Sequence, residues 1–217
     1  MKVSELMNPK GVLLYAKIDN SADALGILVE LQEGIGVITN GNAYYNAVSY
    51  RETFGGTTAI GGGIALPHAC NAGVSAPGIS ALLLRRGVDW GAPDGKPVDL
   101  VFMIAVPPGS ESLHLQILAR LVNLLSRSDL VESLRTASNP HRFVELIAKA
   151  ETPALRNKTE RCPSLFASWG FLLASAGAHS IFARAAYGGC HGQIWDPPLR
   201  GIDLNIRQYN QKTPQIE

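Results

Sequence analysis

The amino-acid sequence predicts an α/β layer fold over residues 1–150, followed by an irregular extension over residues 151–217. Two apolar runs, residues 79–84 and 98–106, have the length and composition of buried strands. Segments with helical spacing of apolar residues lie before and after these runs. Because strands separated by helices pack as layers around one sheet, this order favours an α/β domain. The regular alternation ends near Glu151, where we place the domain boundary.

The first two predicted helices precede any strong strand signal. The first covers residues 22–33, with Ser21 as its N-cap and Gly34 just past its end. The second is predicted to begin after a cap at Asn42. It places Arg51 near its C-terminal end, where a positive charge interacts favourably with the helix dipole.

A loop rich in glycine and hydroxyl groups, residues 55–63, follows the second helix. It leads into a short apolar strand at residues 64–66, which Pro67 ends, and His68 comes next. Glycines allow backbone N–H groups to approach an anion closely. We therefore expect an anion-binding loop ahead of an imidazole at the edge of a sheet.

Three helices follow the second buried strand. The first runs to about residue 126, is mostly apolar, and carries His114 in its first turn. A short helix follows it, and the last helix covers residues 140–149. The first of these helices is predicted to begin at a cap formed by Ser110 or Ser112. The second has the capping-box pair Asp129 and Glu132, and the third has Asn139 as its N-cap before Pro140.

Composition and charge exclude several classes of protein. The chain has 217 residues, of which 46% are hydrophobic and 17% charged, so a largely disordered chain is excluded. Its 19 basic and 18 acidic side chains give a net charge of +1, which offers no electrostatic footprint for nucleic acid. No nucleic-acid partner is expected.

The cysteines and one long apolar segment indicate where in the cell the protein is expected to be found. Three cysteines without a C-x-x-C pair make no disulfide framework, and the first residues do not resemble a secretory signal, so we expect a cytoplasmic protein. Residues 164–183 contain no Asp, Glu, Lys or Arg over a length close to that of a membrane span. Serines and glycines interrupt this segment, so we do not assign a spanning helix.

His68 is the sharpest candidate for chemistry. An imidazole has an ordinary pKa near 6.5 and can be a neutral nucleophile at physiological pH. The structural alternative is a histidine that is bonded to a loop carbonyl. A metal site formed by His68, His114 and Cys70 is a further alternative, but its spacing matches no zinc motif.

Residues 57–68, TTAIGGGIALPH, resemble the signature of the fructose/mannitol/nitrogen-type enzyme IIA domains of the bacterial phosphoenolpyruvate-dependent phosphotransferase system. The resemblance extends from about residue 11 to residue 151 and includes Arg51 before the glycine loop and His114 in the later helix. It implies a three-layer α/β/α domain with a mixed central sheet of about five strands.

The resemblance also implies roles for individual residues. His68 would accept a phosphoryl group from an HPr-like phosphocarrier protein and pass it to a cysteine on the enzyme IIB domain of a sugar permease. His114 would lie beside it, Arg51 would hold phosphoryl oxygens, and Thr58 would bond phosphate or hold the tautomer of His68. No cofactor and no metal are implied, and membrane contact would be only indirect, through the permease.

Two departures from the family pattern leave alternatives open. The stretch from Arg51 to His68 is one residue longer than usual, around residues 54–56, which affects the reach of Arg51. Residues 69–71 lack the basic side chain that family members often carry after the active histidine. A regulatory protein controlled by His68 phosphorylation, and a domain that keeps the fold without transfer, therefore stay open beside the transport component.

Overall fold

The computed structural model describes residues 1–152, in which the expected alternation of helices and strands is not found, because five strands follow one another between two groups of helices. In chain order the elements are a short 3-10 helix (Ser4–Leu6), β1 (Met7–Ala16), α1 (Ser21–Gly34), α2 (Gly41–Phe54), β2 (Ala59–Gly61), β3 (Ile64–Ala65), β4 (His68–Cys70), β5 (Gly78–Val88), β6 (Val98–Val106), α3 (Glu111–Leu125), α4 (Ser128–Arg135) and α5 (Pro140–Glu151). The predicted C-terminal extension lies outside the described residues, apart from its first two.

The strands form one mixed sheet around β6. The order is β1-β5-β6-β3-β2, and β4 pairs with β6 beyond the end of β3. β6 runs antiparallel to β5 and parallel to both β3 and β4, while β1 runs parallel to β5. The predicted α/β fold with a mixed central sheet is confirmed.

Two cores flank this sheet because side chains on β6 alternate between its faces. One core contains Leu100, Phe102, Ile104 and Val106 and packs against α3, α4 and α5. The other contains Val101, Met103 and Ala105 and packs against α1 and α2. All of these β6 side chains are fully buried, which explains why the strand appears in the sequence as an uninterrupted apolar run.

Several helix caps differ from the sequence prediction. α1 is capped by Asn20 rather than Ser21, because the Asn20 side chain accepts a hydrogen bond from the backbone N–H of Asp23. α2 is capped in the same way by Asn40 rather than Asn42, which lies inside the helix. Asparagine is a strong N-cap residue, and in both cases it precedes the predicted cap by one or two residues.

For α3, α4 and α5, the predicted N-caps agree with the structure only in part. Asn139 caps α5, with Pro140 in the first turn, as predicted. Ser110 occupies the N-cap of α3 but makes no capping bond through its side chain. The capping-box prediction for α4 is wrong because Arg127 occupies the N-cap and Asp129 lies in the first turn, where it accepts a bond from the Arg127 guanidinium.

β1 was not predicted from the sequence. It contains Pro9 and Gly11, which are both depleted in strands, and two polar residues beside them. The strand tolerates this composition because it lies at the edge of the sheet, where a missing backbone donor leaves no neighbour unpaired. Within residues 1–152, no helix has the length and apolar character needed to span a bilayer.

A carboxylate at the end of α5 holds the start of the chain. Glu151 accepts hydrogen bonds from the backbone N–H groups of Val3 and Ser4, at 2.5 and 2.9 Å, and from the Ser4 hydroxyl at 2.5 Å. These N–H groups belong to the first turn of the short 3-10 helix, which has no capping bond from its own N-cap side chain. Glu151 therefore replaces the missing cap from the other end of the sequence.

We expect Glu151→Ala to lower the free energy of unfolding by about 1–2 kcal/mol, because three donors lose their acceptor at once. The control is Glu145→Ala on the same helix, which removes only exposed ion pairs with Arg142 and Lys149. Its loss should be smaller, because solvent screens exposed charges. Urea unfolding measures both, and equal losses would contradict the capping role of Glu151.

Candidate functional site

His68 lies at the first position of β4, where the central strand holds its backbone. The N–H of Ile104 on β6 donates to the carbonyl of Pro67 at 2.9 Å. His68 itself pairs with Ile104 in the parallel register. Because β6 is buried on both faces, the Cα of His68 is fixed to the most rigid part of the domain.

A backbone carbonyl defines the tautomer of His68. Its Nδ1 lies 2.8 Å from the carbonyl oxygen of Leu66. A carbonyl can only accept, so we assign the ring proton to Nδ1 and the lone pair to Nε2. The structural alternative, a histidine bonded to a loop carbonyl, is thus observed, and the same bond leaves the lone pair of the neutral ring on Nε2.

His114 lies next to His68. It occupies the first turn of α3, which begins after β6 has passed the end of β4. The two ring centroids are 5.0 Å apart, and the rings meet edge to face at 68°. Within the described part of the chain, the buried Nε2 of His114 has no hydrogen-bond partner.

Arg51 reaches the same place from the last turn of α2. Its Nη1 donates to the carbonyl of Gly56 at 2.8 Å, which fixes the guanidinium after the helix end. Its Nε is buried and has no hydrogen-bond partner among residues 1–152. Buried polar atoms are usually paired, so the unpaired atoms of Arg51 and His114 are available to a bound polar group.

Burial and charge keep both imidazoles neutral. The pKa of His68 is lowered to about 4, mainly by burial. The bond to Leu66 opposes this change, and the nearby His114 and Arg51 add to it. Burial and then the charge of Arg51 also lower the pKa of His114. The site therefore combines one permanent positive charge with two neutral rings at neutral pH, which suits an anionic ligand and a nitrogen nucleophile.

Thr58 is near the site in sequence but does not touch His68. Its hydroxyl donates to one carboxylate oxygen of Glu52 through a short hydrogen bond, and its backbone N–H donates to the other at 3.0 Å. Its carbonyl accepts from the N–H of Leu66 at 3.1 Å. The carbonyl of Leu66 thus holds the tautomer of His68, which was one of the two roles that the family resemblance implied for Thr58. Thr58 supports the segment that carries Leu66.

The structure corrects the expectation that the glycine loop binds an anion. Gly61, Gly62 and Gly63 adopt positive φ angles of 86°, 65° and 79°, as an anion nest requires. The N–H of Gly62, however, donates to the carboxylate of Asp94 at 2.9 Å and so lowers the pKa of Asp94. The turn lies before Ile64, which pairs with Leu100, so β3 and the following segment separate it from His68.

Two contacts of the site were missed by sequence reasoning. The carbonyl of Leu66 carries no sequence signal, because every residue has one. Glu52 follows Arg51 directly and could have been suspected as the partner of a hydroxyl-rich loop. The alternative metal site is not assembled either, since no group of three or more His, Cys, Asp or Glu suited to a metal occurs among residues 1–152.

The fold and the site together define a small α/β domain in which a pair of histidine rings lies near an arginine side chain. The family model for the phosphoenolpyruvate-dependent sugar phosphotransferase system, EIIA 2, matches residues 5–150. The chain belongs to this family.

Curated relatives include transport and regulatory proteins. The chain is 33% identical over 147 residues to the fructose-specific EIIABC component of Bacillus subtilis, covering 68% of this chain and 23% of that protein. It is 31% identical over 155 residues to a nitrogen regulatory protein of Bradyrhizobium diazoefficiens, covering 68% of this chain and 95% of that protein. The chain thus spans less than a quarter of the first relative and nearly all of the second.

Solved structures show the same fold. The nitrogen regulatory protein IIA-Ntr of Neisseria meningitidis superposes with a TM-score of 0.63 at 27% identity, covering 67% of this chain and 98% of that one. The enzyme IIA for mannitol of Escherichia coli, solved in complex with phosphorylated enzyme IIB, has a TM-score of 0.57 at 23% identity, covering 66% and 99%.

The lowered pKa of His68 predicts how stability depends on pH. Between about 6.5 and about 4, the unfolded state takes up a proton that the folded imidazole does not accept. The free energy of unfolding should therefore fall as the pH is lowered through this window, and His68→Gln should lose this part of the slope. Urea unfolding at a series of pH values checks this.

The control is His141→Gln, which changes an exposed histidine on α5 and should keep the slope that depends on His68. Nitrogen-15 NMR of the imidazole gives a direct reading, with a midpoint near 4 expected for His68. A midpoint near 6.5 would contradict the proposed environment of the ring.

Proposed function

We propose that this protein is a phosphohistidine carrier that accepts a phosphoryl group on Nε2 of His68 from an HPr-like phosphocarrier protein. It then passes the group to a cysteine of an enzyme IIB domain during uptake of a fructose- or mannitol-type sugar. One observation carries the proposal: His68 faces His114 beside the unpaired Nε of Arg51. Family membership supports phosphoryl transfer in general.

The transfer balances without a proton acceptor. The lone pair on Nε2 of His68 attacks phosphorus, and the bond between phosphorus and the donor histidine breaks, leaving its electron pair on the donor ring. The proton on Nδ1 stays in place, and the carbonyl of Leu66 stabilises the positive charge that develops on the ring. A thiolate of the partner then attacks phosphorus, and the electron pair returns to Nε2.

The neighbouring groups act on the phosphoryl oxygens. Phosphoryl transfer depends mainly on positioning and on charge stabilisation of the equatorial oxygens. The guanidinium of Arg51 supplies a permanent charge and planar donors, of which Nε–H has no partner within the described residues. His114, with its proton on Nε2, would donate a second hydrogen bond. Thr58 acts indirectly, by supporting the segment before His68.

Regulation without sugar transport is the second candidate. Several relatives are named nitrogen regulatory proteins, and the chain covers 95% and 98% of the two reported above. In this alternative, phosphorylation of His68 changes the affinity for another protein. Both candidates use the same site in the cytoplasm, without cofactor, metal or nucleic acid, and in both any contact with a membrane is indirect.

Phosphorylation by phosphoenolpyruvate, enzyme I and HPr tests the shared step. We expect an acid-labile and base-stable label on the wild-type protein and none on His68→Ala. His114→Ala should keep some label but transfer it onward roughly 10- to 100-fold more slowly, because one donor to the phosphoryl group is lost. His141→Ala is the matched control and should behave as wild type, since His141 is exposed on α5.

Label that persists on His68→Ala would contradict the site. An unlabelled wild-type protein would favour the remaining alternative, a domain that keeps the fold without transfer.

Onward transfer separates the two functions. The labelled protein is mixed with enzyme IIB domains of the fructose and mannitol types, and with variants in which their active cysteine is replaced by serine. Movement of the label to the cysteine supports the carrier, because only a transport component must release its phosphoryl group there. Label that stays on His68 with every active IIB domain would favour the regulatory protein.

A further inference from the structure

A buried tyrosine connects α2 to the strand that begins with His68. Tyr44 lies in the first turn of α2 and its side chain is fully buried. Its hydroxyl donates to the carbonyl of Ile104 at 2.7 Å and accepts from the N–H of Ala69 at 3.3 Å. Burial raises the pKa of Tyr44, so the hydroxyl keeps its proton and remains a donor.

The two partners of this hydroxyl define the position of His68. Ala69 is the next residue along β4, and Ile104 is the residue that pairs with His68 in the parallel register. The Tyr44 hydroxyl thus bonds to both strands at the level of the nucleophilic ring. Few placements of a helix could satisfy both bonds, because each needs a distance near 3 Å and a suitable angle.

The same helix carries Arg51 on the same side. Seven residues separate Tyr44 from Arg51, which is close to two helical turns and about 10 Å along the axis. Val48 lies between them and is also fully buried. The two hydrogen bonds of the Tyr44 hydroxyl to β4 and β6 therefore fix the rotation of α2 and its position along the helix axis, and with them the turn that carries Arg51.

We infer that Tyr44 is a positioning residue that sets the location of the Arg51 guanidinium relative to His68 and His114. This inference rests on the proposed function for its kinetic consequence. Tyr44 acts through Arg51 and touches no reacting atom. Tyr44→Phe is the sharp test, because it removes one oxygen and keeps the ring that fills the core.

Gln32 provides a matched control for a merely structural bond. It is fully buried on α1, and its Nε2 donates to the carbonyl of Met103 at 2.9 Å and to the hydroxyl of Ser80 at 3.1 Å. Met103 precedes Ile104 on β6, so both side chains tie a helix to neighbouring residues of one strand. α1 carries none of the proposed site residues, so Gln32→Met removes comparable bonds from a helix other than the one that carries Arg51.

The experiment measures single-turnover phosphorylation of His68 by phosphorylated HPr, together with urea unfolding of each variant. Tyr44→Phe should slow phosphorylation by about 10-fold, because small misplacements of a catalytic group are costly. Gln32→Met should change the rate by less than about twofold at a similar loss of stability. In an Arg51→Ala background the effect of Tyr44→Phe should shrink below about twofold, since coupled residues are not additive.

An NMR titration of His114 gives a second reading that needs no phosphoryl donor. The charge of Arg51 contributes to the lowered pKa of His114. Tyr44→Phe and Arg51→Ala should both raise this pKa toward its ordinary value, while Gln32→Met should leave it unchanged.

The two readings separate failure of the inference from failure of the proposed function. A wild-type protein that takes up no label contradicts the proposed function, and the titration then still tests Tyr44. An unchanged rate and titration in Tyr44→Phe, or equal slowing with and without Arg51, would overturn the inference.

Discussion

The pairing of β4 with β6 is the constraint on which the site depends. β4 has only three residues, yet it is held by a strand whose side chains are buried on both faces. Its first residue is His68, so the ring is presented where the register is fixed rather than in the loop before it. α3 begins after β6 ends, which brings His114 to the same end of the sheet, and α2 packs beside β4 and brings Arg51.

Under the proposed function, the bound phosphoryl group would complete the hydrogen bonds of the site. A buried unpaired polar group costs about 1–3 kcal/mol, and the site contains two, on Arg51 and His114. A phosphoryl group could accept from both and would also offset the desolvation of the guanidinium. The low pKa of His68 serves the same end, because a protonated ring would lack the lone pair and repel Arg51.

The sequence predicted best those elements whose local pattern decides their structure. β6 was placed at residues 98–106 without error because it is apolar throughout, and Asn139 marked the start of α5. β1 was missed because its edge position, which tolerates Pro9, is not visible locally. The meeting of His68, His114 and Arg51 came only from the family resemblance. The prediction of an anion site at the glycine turn was wrong because it also depended on contacts between distant residues. The N–H of Gly62 binds Asp94, which is 32 residues further along the chain.

The longer connection between Arg51 and His68 raised the question of whether Arg51 still reaches the site. In the structure, α2 ends at Phe54, and Gly55 and Gly56 form the turn directly after it. A side chain on Gly55 would come within 2.7 Å of the Arg51 guanidinium, and Gly56 has a φ of 82° that favours glycine. The turn folds back so that the carbonyl of Gly56 binds Arg51, whose charge still acts on both imidazoles. Arg51 is therefore held by its own turn and acts electrostatically on both rings despite the long connection.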